Sequence, residues 1–235
     1  MLKVLLVLGL QLSAAEVSRA NSSTTPTSRP LIIVLGMPKT GTETIGEFFK
    51  CNGLKSAHWK CDHSTCGDCV MRWVTEMSGS STSDGSAALR SACGDYDVFA
   101  QMDYEPRGAC LFPQMYFLQT LLRYLPSACF ILNTRPTEHW LASVRNWKTG
   151  RNNMLSRLTS ACPINPRNAT GLGEWYERFK ARASLALRAS TRCGLEFDLE
   201  DGVGPTSHLD QFFALNSSTT CLGIHTHETS PNRMA

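Results

Sequence analysis

Residues Leu31 to Phe49 read LIIVLGMPKTGTETIGEFF, and this stretch decides the fold. The apolar run Leu31, Ile32, Ile33, Val34, Leu35 stops at Gly36 and Pro38, a Lys-Thr-Gly-Thr turn follows, and Ile45, Phe48 and Phe49 then recur at helical spacing. A buried strand, a glycine turn and a helix N-terminus form a cradle for a phosphate, because backbone N–H groups and the positive end of the helix dipole point at the anion. The spacing departs from the nucleotide-triphosphate loop G-x-x-x-x-G-K-[ST] in one respect. Gly36 and Gly41 keep the glycine separation, but Thr42 stands where the lysine belongs, and the lysine lies inside the loop at Lys39.

Working outward, Cys129 to Trp147 (CFILNTRPTEHWLASVRNW) is the second informative stretch. The run Phe130, Ile131, Leu132 reads as a buried strand ending near Arg135; Pro136 breaks it and Thr137 is placed to cap a helix from Glu138. Arg135 then sits at the carboxyl end of a strand, where open α/β sheets bind ligands. Ser143 follows eight positions later, inside the helix. A guanidinium fork with a hydroxyl suits a phosphate monoester.

With both stretches in view the chain resembles the sulfotransferase family, from about Leu31 to about Cys221. Pro38-Lys39-Thr40-Gly41-Thr42 is similar to that family's P-K-[TS]-G-T loop, which grips the phosphosulfate end of 3′-phosphoadenosine 5′-phosphosulfate (PAPS). Arg135 and Ser143 match the Arg and Ser that hold the donor's 3′-phosphate. YDVFAQMDYEP, followed by an amphipathic helix and CFILNTRPTEHW, resembles a lumenal or algal-type branch. The resemblance implies a PAPS-dependent transferase acting on a hydroxyl or amine acceptor, carbohydrate among them, with Lys39, Thr40, Gly41, Thr42, Thr44, Arg135 and Ser143 at the donor. Glu43 departs from the pattern, which has a second Thr or Ser there; Thr44 is the hydroxyl that would replace it.

Sulfuryl transfer also accounts for the moved lysine. Lys39 would neutralise the bridging oxygen as its bond to sulfur breaks, and positioning and electrostatics carry the reaction as they do in phosphoryl transfer. No metal is required on this reading. A kinase or nucleotide hydrolase of the same fold would need its lysine at Thr42's position. A secreted, non-catalytic relative is the other alternative. For the general base, Asp103 after the strand Val98–Met102 and His58 closing a short strand Leu54–His58 are equal candidates, ahead of His63 and Glu43.

Composition bounds the rest. The 235 residues allow one sizeable core. The near balance of 23 basic and 20 acidic side chains fits an anionic ligand and gives no support for a nucleic-acid surface. MLKVLLVLGLQLSAA reads as a signal peptide over residues 1–15, its apolar part far short of the ~20 residues of a spanning helix. A membrane link follows only if that segment is retained as a short anchor. A Ser/Thr/Pro-rich linker (16–30), a sulfotransferase-like domain (31–224) and a polar tail (225–235) complete the expected organisation. Ten cysteines and sequons at Asn21, Asn168 and Asn216 agree with an oxidising, secretory or Golgi-like route.

The expected fold is α/β: a P-loop-type, three-layer fold with a central parallel sheet flanked by helices, plus a Cys-rich insertion. Strands are expected at Leu31–Leu35, Val98–Met102, Phe130–Asn133 and Leu195–Leu199. Helices are expected at Thr42–Cys51, Phe112–Tyr124, Glu138–Asn146, Trp175–Ser190 and His208–Phe213, and a low-complexity loop at Ser78–Ala88. Cys61, His63, Cys66 and Cys69 have zinc-ligand chemistry, but their tight packing in sequence and the oxidising route favour disulfides, with Cys51 or Cys93 as further partners. Trp140, Trp147, Trp175 and Tyr176 read as helix-packing residues, and Arg167, Lys180 and Arg182 as a solvated face.

Overall fold

Along the first strand, successive side chains point to opposite faces of a sheet, and both faces are covered. The computed structural model describes residues 30–103, 110–147, 154–162, 169–190 and 193–225. The expected signal segment, most of the linker and tail, Arg167, Asn21 and Asn168 lie outside them. In chain order the elements are β1 (Ile32–Val34), α1 (Thr42–Cys51), β2 (Ser56–His58), α2 (Cys66–Met77), α3 (Ser86–Cys93), β3 (Val98–Gln101), α4 (Pro113–Tyr116), α5 (Leu118–Tyr124), β4 (Cys129–Thr134), α6 (Thr137–Asn146), α7 (Met154–Ala161), α8 (Ala169–Ser190), β5 (Gly194–Asp198), α9 (Pro205–Phe213) and α10 (Thr219–Leu222).

The five strands form one sheet in the order β2-β3-β1-β4-β5, and every neighbouring pair is parallel. Leu31, Ile33 and Leu35 join Phe99, Phe130 and Leu132 in a core shared with α2, α5, α6 and α8. Ile32, Val34, Val98, Ala100 and Ile131 face the other way, onto Ile45, Phe48 and Phe49 of α1 and Leu209 of α9. Burial on both faces is why these strands read as continuous apolar runs rather than alternating ones. Ile45, Phe48 and Phe49 are fully buried, each contributing about 1.5–3 kcal/mol of transfer free energy.

The chain builds β2 and β3 on one side of β1, then crosses to place β4 and β5 on the other. The direction of winding therefore changes between β1 and β4. Ligands of open α/β sheets bind at such a switch point, outside the carboxyl ends of the strands. Both informative stretches of sequence end there.

The structure bears out the three-layer α/β reading and revises several elements. The expected helix 112–124 is two, α4 and α5, separated by Phe117 at φ −121° and ψ 22°. α8 starts earlier than Trp175, because its apolar stripe already includes Leu172. α9 starts at Pro205, a residue whose fixed φ suits the first helical position. Residues Ser86–Ala88 of the expected loop belong to α3. Among the described residues no helix is long and apolar enough to cross a membrane.

All ten cysteines are paired: Cys51–Cys221, Cys61–Cys66, Cys69–Cys93, Cys110–Cys162 and Cys129–Cys193. Cys93 joins the Cys-rich insertion, whereas Cys51 instead ties the end of α1 to α10. Cys129–Cys193 fastens the start of β4 to the residue preceding β5. Bridges closing loops of this length contribute about 2–4 kcal/mol each. Five disulfides are consistent with a secreted or lumenal protein.

Candidate active site

The loop after β1 is held from below by β4. Gly36 has room for no side chain, since a Cβ there would lie 2.1 Å from Asn133 Oδ1. Asn133 crosses that space and donates its amide to the Thr40 carbonyl at 2.6 Å and to Thr40 Oγ1 at 2.9 Å. Thr40 in turn donates its hydroxyl to the Met37 carbonyl at 2.6 Å. The Thr40 side chain is thus buried within the loop and closes it. Trp140 of α6 adds a third tie, donating its indole N–H to the Pro38 carbonyl at 2.9 Å. This Trp stacks on Tyr176 with ring centroids 4.2 Å apart, so both serve as the packing residues their spacing implied.

With these ties in place the backbone turns sharply upward. Lys39 has φ 72° and Gly41 φ 83°. A non-glycine residue in this left-handed region costs about 1–3 kcal/mol and persists where the surroundings over-determine it. At Gly41 a side chain is also excluded by Leu199, whose Cδ1 lies 2.6 Å from where a Cβ would be. Gly41 is the N-cap of α1 and offers no side-chain cap, the arrangement in which a helix N-terminus holds an anion.

Two cations lie on the strands that flank the switch point, Lys39 in the turn after β1 and Arg135 at the end of β4. Burial pushes the Lys39 ammonium below the ordinary lysine range, the Arg135 charge lowers it further, and Glu43 in the first turn of α1 opposes both. The indole of Trp147, just past α6, lies 5.9 Å from Lys39 Nζ, within cation–π reach. Arg135 follows β4, and its backbone N–H donates to the Tyr176 hydroxyl at 3.0 Å. Burial pushes that phenol upward, so it stays protonated. The Arg135 Nε donates to Glu200, in the turn after β5, and Glu200 also holds His139 Nδ1. Ser143 is buried in α6, one helix with His139. Thr44 is buried in α1.

A second polar group lies on the other side of β1. Thr42, the first residue of α1, donates its hydroxyl to Gln101 Oε1 at 2.9 Å and lies 3.3 Å from His58 Nε2. Gln101 Nε2 donates to Asp103 Oδ2 at 2.5 Å. Burial lowers the His58 pKa below the usual histidine value, with Glu43 raising it. The two expected bases therefore belong to one cluster: Asp103 is buried at 2% exposure, and His58 is the more accessible.

The remaining candidates fall elsewhere. His63 is exposed on the turn between Cys61 and Cys66. The sulfurs of Cys61, Cys69 and Cys93 lie within 4.8 Å of one another, but all are committed to disulfides. Lys180 lies 4.8 Å from the Tyr176 ring centroid and donates to Thr137 at 3.1 Å, while Arg182 is exposed. Asn133, Gln101 and Glu200 escaped the sequence reading. A polar residue ending an otherwise apolar strand was the available signal for the first two.

The turn after β1 is thus closed by its own strand neighbour, with Lys39 in it and Arg135 at the end of β4 beside it. No curated protein matches the chain. A family model described as "Sulfotransferase domain" matches residues 31–191, more than half the chain and both informative stretches. The chain belongs to the sulfotransferase family.

Proposed function

We propose that the protein transfers a sulfuryl group from PAPS to a hydroxyl or amine acceptor, carbohydrate among the candidates, in the lumen of the secretory pathway or outside the cell. The observation carrying this reading is the tied turn after β1, with Lys39 and Gly41 at positive φ ahead of the uncapped N-terminus of α1 and Arg135 at the end of the neighbouring strand β4. A helix N-terminus with no side-chain cap, preceded by a lysine in its turn, is suited to hold an anion. The 5′-phosphosulfate would lie on the loop at Lys39, Gly41 and Thr42, with Thr44 behind it. The 3′-phosphate would take Arg135 and Ser143. Thr40 supports the donor by shaping the loop, because its hydroxyl is already given to Met37.

Lys39 supplies positive charge where negative charge develops on the leaving oxygen, and a donor preorganised this way contributes on the order of 3–4 kcal/mol in an oxyanion hole. Its placement inside the turn, rather than at Thr42, puts the ammonium at the donor's end and not along a triphosphate. His58, with Asp103 behind it, takes the acceptor's proton. The expected domain (31–224), the cleaved leader and the polar tail belong to this same proposal.

Isothermal titration with adenosine 3′,5′-bisphosphate tests the reading. Wild-type protein is expected to bind it, Lys39→Ala to lose most of the affinity, and ATP with Mg2+ to bind far more weakly. Preferential binding of ATP with Mg2+ would overturn the proposal in favour of a kinase or hydrolase. Binding of the bisphosphate without transfer of labelled sulfate to glycans, peptides or small alcohols would favour a non-catalytic relative.

A further inference from the structure

Asp103 and His58 are joined through Gln101 and Thr42 in one chain of hydrogen bonds. With Asp103 ionised its carboxylate only accepts, and the Gln101 side-chain nitrogen then faces it, at 2.5 Å. The opposite amide orientation would set two acceptors against each other. Gln101 Oε1 therefore faces Thr42, and an amide oxygen only accepts, so the Thr42 hydroxyl spends its proton on Gln101 at 2.9 Å. What remains to Thr42 is a lone pair, and the group 3.3 Å away is His58 Nε2. That contact holds only if Nε2 carries the proton.

We propose that Gln101 is a positioning residue that relays the charge of Asp103 to His58, fixing the neutral Nε2–H tautomer and leaving Nδ1 as the basic nitrogen. The inference rests on the sulfotransferase reading above and goes beyond it. Asp103 and His58 are not rival bases but the two ends of one oriented chain. Thr42 has two duties in it: its backbone belongs to the phosphate-binding turn, and its hydroxyl passes the polarity from Gln101 to His58. The charged groups of α1 that act on His58 are Glu43, Glu47 and Lys50, of mixed sign. None of them selects a ring nitrogen as a short directed chain does.

The proton balance is simple. As the acceptor oxygen bonds to sulfur, its proton passes to His58 Nδ1. The sulfur–oxygen bond to the donor phosphate breaks, and the bisphosphate leaves with that electron pair. The imidazolium so formed keeps donating through Nε2 towards Thr42 and Gln101, and the fixed Asp103 charge stabilises it. This is the role of an orienting carboxylate behind a catalytic histidine, here carried through an amide and a hydroxyl.

The test is 15N NMR of histidine-labelled full-length protein, with the His58 resonance assigned by its loss in His58→Gln. Above the His58 pKa, wild type is expected to show the Nε2-protonated tautomer, and an Nδ1-protonated spectrum overturns the proposal without any variant. Gln101→Leu is expected to yield a mixed tautomer and to lower kcat about 10- to 100-fold, part of the ~10²–10⁴ that a positioned base contributes, with the donor KM unchanged. An unaltered tautomer in Gln101→Leu overturns it as well. Asp103→Asn keeps an acceptor for the Gln101 amide and removes the charge, so it is expected to keep the Nε2-protonated tautomer and to lower kcat, which covers the case in which the leucine variant does not fold; an unchanged kcat overturns the relay. Bisphosphate titration of the same samples separates the two ideas: loss of binding in wild type sinks the donor reading, whereas normal binding with the wrong tautomer sinks only the relay.

Discussion

Asn133 lies in the space that a side chain at Gly36 would occupy, 2.1 Å from its missing Cβ, and from there it ties β4 to the phosphate loop through Thr40. The strand that delivers Arg135 thus also sets the height of the loop carrying Lys39. The loop's shape rests on this contact together with the Thr40–Met37 and Trp140–Pro38 ties.

The contact makes the two positions energetically coupled. Asn133→Ala leaves Thr40 without its partner and should cost about 1–3 kcal/mol in denaturant unfolding. Gly36→Ala should be worse in the wild-type background than in Asn133→Ala, where the obstruction is gone. A double-mutant cycle is expected to give a coupling of about 0.5–3 kcal/mol. Additive costs would mean that Asn133 does not fill the glycine's space.

Glu200 bears on Arg135 in two ways that substitution can separate. Its carboxylate orients the guanidinium through Nε, yet its charge opposes a 3′-phosphate at the same place. Glu200→Gln keeps an acceptor and removes the charge, so bisphosphate affinity should rise a few-fold, most clearly at low salt. Glu200→Ala removes both and should weaken binding. If the two variants behave alike, orientation and charge are not the separate terms drawn here.

Two pH dependences follow from burial. Lys39 is lowered below 10.5 by burial, so the charged form that the proposed transfer requires is lost as pH rises through this depressed value. The alkaline limb of kcat/KM should fall below the ordinary lysine range, and Lys39→Arg should remove it. His58 is lowered below 6.5, again by burial. The proposed base role needs its neutral form, so the acid limb should lie below 6.5. In that same window the unfolded chain binds more protons than the folded one, so stability should rise with pH up to about 6.5 and fall as pH drops through the folded value. Both limbs are read from rate and unfolding profiles on one preparation.

The Cys51–Cys221 bridge spans 170 residues and fastens α1 to α10, away from the donor loop. The double substitution Cys51→Ala/Cys221→Ala should lower stability by about 2–4 kcal/mol and leave bisphosphate affinity within about twofold. A large loss of affinity would mean that the bridge also sets the angle of α1.

The legible parts of the molecule were those written locally. The run Leu31–Leu35 ended by Gly36, the helix Thr42–Cys51 and the strand–proline–helix order around Arg135 each carry their own punctuation and stand in that order, although β1 narrows to Ile32–Val34 and Thr137 does not cap α6: it lies inside the helix, whose N-cap is Pro136, and gives its hydroxyl to Glu177. α2 was hidden because its cysteines drew attention from Val70, Trp73, Val74 and Met77, which form a buried helical stripe. Disulfide pairing was illegible for another reason: Cys51 finds Cys221 only after the whole sheet has formed. At the site, residue types announced Lys39, Arg135, His58 and Asp103. The direction of the Thr40 hydroxyl, the crossing of Asn133 and the Gln101 bridge depend on which strands become neighbours, and β1 meets both β3 and β4 only in the assembled sheet.

The most direct test of the two-point donor site is the affinity for adenosine 3′,5′-bisphosphate relative to AMP, measured in wild type, Arg135→Ala and Lys39→Ala. The account predicts a strong wild-type preference for the bisphosphate that collapses in Arg135→Ala, while Lys39→Ala weakens both ligands together. Equal affinity for the two ligands in wild type, or a preference that survives the loss of Arg135, would contradict it.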